Sequence, residues 1–253
     1  LAPGTLYVVP TPIGNLEDLT YRAARVLSQA DVLACEDTRR TRLLLQRHHL
    51  APPRAIIPYH EHNEEAAARR IVEMLSAGRS VALCSNAGFP GISDPGYRAV
   101  AEALRRGLRV EVLPGASAIE AALVASGLPT SSYTFKGFPP KKPGKRKAYL
   151  EMERHAPHTL VFFESPRRVA AFLAAALELF GDRRAAVCVE LTKLFERVER
   201  GSLSELAARF RDQAIRGEVT IVIAGRHPKF MAGGEAEAGP AAGSEPPPPD
   251  RSA

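Results

Sequence analysis

No stretch of this 253-residue chain approaches the ~18 consecutive apolar residues that a membrane-crossing helix needs. Cysteine is nearly absent: Cys35, Cys84 and Cys188 lie far apart, each in an apolar, strand-like run. That distribution is neither a disulfide framework nor zinc spacing, and it reads as buried thiols of a reducing compartment. No GxGxxG follows the first strand-like segment, so a Rossmann dinucleotide site has no support. The first residues lack a basic segment leading into an apolar stretch and a small-residue cleavage site, so no secretory leader is expected. No internal repeat is evident. These absences leave a cytoplasmic globular protein, with no membrane partner, as the expectation.

What is present is an ordinary globular composition, 45% apolar and 25% charged, in a chain long enough for one large α/β domain or two small ones. Net charge is +6. From Pro228 onward Lys229 and Arg251 stand against Glu235, Glu237, Glu245 and Asp250, so the body before it is more basic still. A basic body suits a polyanionic partner.

Strand-like runs at Thr5–Val9, Val32–Cys35, Ala55–Tyr59, Ser80–Cys84 and Arg109–Leu113 alternate with helical patterns at Thr20–Gln29, Asn63–Ala77 and Pro95–Arg106 and a basic helix start after Asp37. The alternation predicts a parallel sheet covered on both faces. The chain is organised around RSVALCSNAGFPGISDPG, residues 79–96. A buried strand runs there into a loop holding Gly88, Pro90, Gly91, Pro95 and Gly96, with Asp94 expected as N-cap of the next helix and Pro95 at its first turn. Glycine lets backbone approach a ligand closely, and the loop is about twice the usual length of such connections. PTPIGNLEDLT, after the first strand, is a second ligand-contacting candidate. Glu36-Asp37-Thr38-Arg39 leaves the second strand and reads equally as a polar site or as helix capping. His60-Glu61-His62 puts two imidazoles on one face, but no third ligand accompanies them, so no metal is expected.

Pro114-Gly115-Ala116-Ser117 breaks the alternation and is read as a hinge dividing residues 1–114 from 115–227. The low-complexity segment 228–253 is expected to be a disordered tail. Beyond the hinge the pattern gives a helix at Ser117–Ser126, a strand at Tyr133–Lys136, and an exposed loop over Gly137–Lys147. Six basic residues gather within Lys136–Lys147, namely Lys136, Lys141, Lys142, Lys145, Arg146 and Lys147, and point to a nucleic-acid backbone. A strand at His158–Glu164, a helix opened by Ser165-Pro166 and closed by Gly181, a strand at Ala185–Leu191, a helix at Leu203–Arg216 and a strand at Glu218–Ala224 complete the body. Glu164, Arg167, Glu190 and Lys193 fall at or just past strand ends.

In order and near the expected spacing, LYVVPTPIGNLEDLT, ACEDTRRTRLLL, YHEHNE, SNAGFPGISDPGYR, PGASA, SGLPT, GFPPKK, FFESPRR and ELTKLFERVERGSLSEL strongly resemble the ribosomal RNA small-subunit methyltransferase I family. That family is a branch of the tetrapyrrole methylase superfamily, and the resemblance runs from about Leu6 to Gly225. It implies two α/β domains with S-adenosyl-L-methionine in the interdomain cleft, and a homodimer. The implied activity is methyl transfer to the ribose 2′-hydroxyl of a cytidine in the decoding region of small-subunit (16S) ribosomal RNA, presented free or in the assembled small subunit. The family's cofactor contacts map onto Pro10, Thr11 and Gly14, onto Ser85, Asn86, Ala87, Gly88 and Pro90, and onto Ser117 and Ala118. Relatives usually carry Asp at Asn86 and Thr at Phe89. The base candidates are Glu36, Glu164 and Glu190, with Lys193 and Arg39 as orienting groups; Glu190 and Lys193 read equally as a structural ion pair. Lys141, Lys142, Lys145, Arg146 and Lys147 would position the RNA. A small-molecule tetrapyrrole methyltransferase and an RNA-binding relative without catalysis remain as alternatives.

Overall fold

A computed structural model describes residues 1–230. Its first half is built from β1 (Thr5–Val8), α1 (Tyr21–Gln29), β2 (Val32–Cys35), α2 (Thr38–Arg47), β3 (Ala55–Pro58), α3 (Glu64–Ser76), β4 (Val81–Cys84), α4 (Tyr97–Arg105) and β5 (Arg109–Val112). The five strands form one parallel sheet in the order β3-β2-β4-β1-β5. Each residue of β1, β2 and β4 is buried, which is why these strands read as continuous apolar runs rather than alternating ones. One face packs on α3 and α4 through Leu6, Val81 and Leu83 against Ile71, Val72, Ala99 and Ala103. The other packs on α1 and α2 through Tyr7, Leu33 and Ala82 against Val26, Leu27 and Leu45. β2 runs on to β3 on one side and β4 to β5 on the other, so the loops leaving these neighbours diverge and open a crevice at their carboxyl ends.

The second half holds α5 (Ala118–Ser126), β6 (Tyr133–Phe135), α6 (Pro143–Glu151), β7 (Thr159–Glu164), α7 (Val169–Phe180), β8 (Arg184–Val189), β9 (Arg197–Ser202), α8 (Leu203–Phe210) and β10 (Val219–Ile223). Its sheet runs β6-β7-β10-β8-β9, parallel between β6 and β7 and antiparallel elsewhere. Phe162, Val187 and Ile221 meet α7 and α8 through Phe172, Leu206 and Phe210. On the opposite face Val161, Cys188 and Val222 meet α5 through Ile119, Ala122 and Leu123. Ile13, from the loop after β1, is part of that same cluster and ties the two halves together.

Several expectations need correction. Asp94 does not cap α4: the helix starts at Tyr97 with Gly96 before it. Its open N–H groups are met from a distance instead. Glu64 Oε1 accepts from Gly96 N at 3.0 Å and Arg98 N at 3.4 Å, and Tyr59 Oη accepts from Ala99 N at 3.1 Å. The stretch expected as the exposed loop Gly137–Lys147 becomes helical at Pro143, because Pro is well placed in a first turn and Leu150 follows as a core anchor. Helix α8 stops at Phe210 rather than Arg216, since Leu203, Leu206 and Phe210 exhaust its apolar stripe. Strand β9, RVERGS, is an edge strand only partly buried, and without an apolar run the sequence does not announce it. Of the expected tail, Pro228–Phe230 forms a 3-10 turn and the rest lies outside the described residues.

Gly96 fixes the loop that carries the crevice wall. A Cβ there would sit 2.5 Å from Gly91 N and 2.9 Å from Pro90 C, both rigid backbone. Gly96→Ala is expected to cost about 1–3 kcal/mol by overpacking. At Gly107 a Cβ meets nothing within 4 Å, so Gly107→Ala carries only the ~1 kcal/mol of a left-handed backbone. Urea unfolding of the two variants measures the difference.

Candidate active site

The carboxyl-end loops of the first sheet face the loops of the second across a cleft of about 410 Å³. From the first sheet come Ile13, Glu36, Arg40, the run Asn86–Phe89 and Asp94; from the second come Ser117, Ala118, Phe138, Glu164, Glu218 and Thr220. A second chamber of about 450 Å³ shares Ile13, Arg40, Asn86, Ala87 and Glu218 with it and adds Thr11, Gly14, Ser85, Arg47 and Lys193. The two are one concavity with two compartments.

Its first wall is made of backbone. Thr11 and Gly88 exchange N–H···O bonds of 3.0 and 2.9 Å, joining the loops that leave β1 and β4. Thr11 Oγ1 donates to Ser85 O at 3.1 Å, and Ser85 Oγ to Gly88 O at 3.1 Å. Gly88 lies at φ +70, where a side chain would be strained. Beside it Asn86 N donates to Glu36 Oε2 at 3.4 Å, while Asn86 Oδ1 is buried without a partner. An orphaned buried acceptor is costly unless a ligand satisfies it.

The other groups in the cleft are mostly acidic. Burial pushes the Asp94 carboxyl up to about 6, helped by the charges of Glu36 and Glu218 and opposed by Ser85. Burial also raises Glu164, which is only 2% exposed. Its Oε1 accepts from Ser165 N at 2.7 Å and pairs with Arg168 at 2.5 Å, and its Oε2 has no partner. Apolar walls from Phe89, Ile92, Phe138 and Phe163 complete the enclosure.

The structure therefore brings Glu36, Glu164, Asn86, Ala87, Gly88, Ser117 and Ala118 into the main cleft and Thr11, Gly14, Ser85 and Lys193 into its second chamber. Other expected residues stand elsewhere. Glu190 lines neither compartment; its Oε1 accepts from Lys193 Nζ at 2.8 Å and from Glu218 N at 2.8 Å. Burial alone would raise its pKa, yet these donors hold it below the usual value. Lys193 also reaches Glu218 Oε2 at 3.0 Å, so Glu190 and Lys193 stand here as members of an ion-pair network. Arg39 is exposed outside both compartments and Arg40 faces them instead. A one-residue error on a helix is a rotation of about 100°. Pro10 packs against Gly115, and Pro90 against Gly96. Arg146 is buried, 7% exposed, and contributes its charge to Glu164. Lys147 pairs with Glu178 at 2.6 Å and Lys136 with Glu153 at 2.6 Å, whereas Lys141, Lys142 and Lys145 stay exposed. Asp37 caps α2, accepting from Arg39 N at 2.8 Å and Arg40 N at 3.3 Å. Sequence does not mark Asp94, Arg40 or Glu218 as site residues; the polar ISDPG run after a glycine loop is the available signal for Asp94.

Comparison with known proteins agrees with the fold. The Tetrapyrrole (Corrin/Porphyrin) Methylases family matches residues 5–207. A cobalt precorrin-4 methyltransferase of cobalamin biosynthesis aligns with a TM-score of 0.62 at 19% identity, covering 87% of this chain and 95% of that one. A uroporphyrin-III C-methyltransferase from Thermus thermophilus, solved with S-adenosyl homocysteine, aligns with a TM-score of 0.60 at 23% identity, covering 87% and 97%. The fold and its two-sheet cleft thus define a tetrapyrrole-methylase-type protein. Ribosomal RNA small subunit methyltransferase I of Halalkalibacterium halodurans is 45% identical over 226 residues, covering 89% of this chain and 78% of that protein. The protein of the same name from Mesorhizobium japonicum is 49% identical over 220 residues, covering 86% and 74%. The chain belongs to the ribosomal RNA small subunit methyltransferase I family.

The raised Asp94 carboxyl makes stability depend on pH. A carboxyl that binds its proton more tightly folded than unfolded removes stability as pH rises from about 4 to about 6. Asp94→Asn is therefore expected to raise the melting temperature at pH 8 and to leave it unchanged at pH 3.5.

Proposed function

We propose that this protein transfers a methyl group from S-adenosyl-L-methionine to the 2′-hydroxyl of a cytidine in small-subunit ribosomal RNA. The observation that carries this reading is the cleft itself: an orphaned buried acceptor on a glycine-opened backbone wall, in a cleft with four carboxylates. The cofactor fits that wall. Asn86 Oδ1 lacks a donor, and a Cβ on Gly88 would lie 3.6 Å from Ile13 Cγ2, filling the cradle. Asn86 keeps an acceptor for the cofactor's ammonium group but supplies no charge, where relatives usually carry aspartate. Bound there, the cofactor supplies a methyl group already activated on a sulfonium.

The remaining work belongs to the chain. Thr11, Gly14, Ser85, Asn86, Ala87 and Gly88, with Ser117 and Ala118 opposite, hold the cofactor. Pro10 and Pro90 support them from behind by packing on Gly115 and Gly96. A ribose hydroxyl is a weak acid, so a carboxylate must accept its proton as the bond to carbon forms. Glu36 and Asp94 are assigned that role, since they share the cleft and the charge of Glu36 raises the proton affinity of Asp94. Glu164, held by Arg168 and the Ser165 N–H, orients the substrate from the second sheet. Lys193, fixed by Glu190 and Glu218, shapes the second chamber. Lys141, Lys142 and Lys145 contact phosphates outside the cleft, and buried Arg146 does not. The reading places the divide between two domains at Pro114–Gly115, and it includes a homodimer working in the cytoplasm on free RNA or on the assembled subunit.

The test is methyl transfer from labelled S-adenosyl-L-methionine to small subunits lacking their native modifications, followed by nuclease mapping. Label on a cytidine 2′-oxygen is the expected result. Label on a base overturns the 2′-hydroxyl assignment, and cofactor binding without label points to another substrate, the small tetrapyrrole included. Absence of both leaves an RNA-binding relative. Glu36→Gln and Asp94→Asn are each expected to lower kcat by roughly 10²-fold or more, as loss of a general base does. In wild type the rate should climb as pH rises through about 6, where Asp94 gives up its proton.

A further inference from the structure

Helix α2 carries Arg39, Arg40, Arg42 and Arg47, all exposed. Among the described residues none of the four forms an ion pair, although Arg69 on α3 and Arg105 on α4 pair with Glu65 and Glu102. Arg39 and Arg40 occupy the first turn of the helix, where the N–H groups present partial positive charge and a cation is disfavoured by ~0.3–1 kcal/mol. Only the Asp37 cap offsets them; the backbone N–H groups of Arg39 and Arg40 hold its carboxyl below the usual range, with both guanidinium charges adding to the effect. A helix that breaks a local rule without an internal partner is arranged for something outside the chain.

The placement says what. Arg40 and Arg47 are seven residues apart, so they lie on one face of α2 about 10.5 Å apart along its axis. Both line the second chamber, with Leu43 and Leu44 between them. Beyond Arg47 the surface continues into a hollow bordered by Leu43, Gln46 and His49. The track thus leads from open surface, along two unpaired guanidinium groups, to the wall that Asn86 and Ala87 share with the main cleft. The lysine cluster at residues 141–147 offers no such path, because none of its residues lines either compartment.

We propose that the Arg40–Arg47 face of α2 is the entry track for the RNA strand, binding phosphates that flank the target ribose while that nucleotide reaches the main cleft by way of the second chamber. This rests on the reading of the protein as a ribose methyltransferase acting on RNA. Guanidinium groups suit such a track, since they pair with phosphate oxygens in a fixed fork and stay charged. Exposed Leu43 gives the track an apolar floor on which a base can lie.

The experiment measures binding of wild type, Arg47→Ala, Arg40→Ala/Arg47→Ala and Arg40→Lys/Arg47→Lys to small subunits lacking the modification, across a salt series. S-adenosylhomocysteine affinity is measured in parallel by calorimetry. Each lost phosphate contact should reduce the slope of log K against log salt by about 0.7–0.9. Arg47→Ala is expected to show one such step, with S-adenosylhomocysteine affinity unchanged because Arg47 is not among the residues assigned to the cofactor and stands where the second chamber meets the outer hollow. The double alanine variant should show two steps and at least 10-fold weaker binding, and the double lysine variant should keep the wild-type slope. Unchanged affinity and slope in the double alanine variant overturn the proposal, while methylation by wild type leaves the reaction assignment standing. A wild type that neither binds nor methylates the subunits overturns both.

Discussion

The paired hydrogen bonds between Thr11 and Gly88 are the joint on which the cleft depends. They form an isolated antiparallel rung past the ends of β1 and β4, at the place where regular parallel strand has already stopped. Ser85 and Thr11 spend their hydroxyls on the same rung, so this wall of the cleft is backbone with its own polar groups satisfied. The one acceptor left over, Asn86 Oδ1, then stands out as the group meant for a ligand. Ile13 leaves this joint and enters the core of the second sheet, so the same loop sets both the wall and its distance from the opposite side.

A second dependence runs through Glu64 and Tyr59. By capping α4 from the neighbouring loop they relieve Asp94 of the role its sequence position suggests. Freed from the helix end, Asp94 turns into a cleft already holding Glu36 and Glu218, and burial with like charge raises its proton affinity. Fold and chemistry are coupled here: a carboxylate used as a cap would be held ionised, and its basicity would be lost.

Residues with purely local causes were legible in the sequence. The buried strands of the first sheet declared themselves by apolar runs, and the loops that wall the cleft by glycine at strand exits. What was missed had a non-local cause. Strand β9 exists because β8 offers it an edge, not because RVERGS favours extension. Arg146 looks like its lysine neighbours in sequence, yet α6 turns it inward toward Glu164. Arg39 and Arg40 differ by one step in sequence and by a third of a turn in space, and only the structure tells which faces the cleft. Glu190 and Lys193 could be read two ways until Glu218, distant in sequence, arrived beside them. The substrate claim came from the whole run of motifs rather than from any one residue.

Two glycines meet the loop between β8 and β9 from opposite sides. A Cβ on Gly14 would fall 2.4 Å from Lys193 Cγ and 2.7 Å from Thr192 Oγ1, and one on Gly217 would fall 2.2 Å from Glu190 Cδ. Thr192 and Glu190 are themselves held at φ 65 and φ 52, left-handed values that neither residue favours. Gly217 and Glu190 both belong to the second half and brace the loop, while Gly14 reaches it from the first half, so the separation at this seam is set like a gauge block, by solid dimensions and not by a spring. The two halves thus meet at a seam with no room for an added methyl group, closed where Asn15 N donates to Thr192 Oγ1 at 3.0 Å.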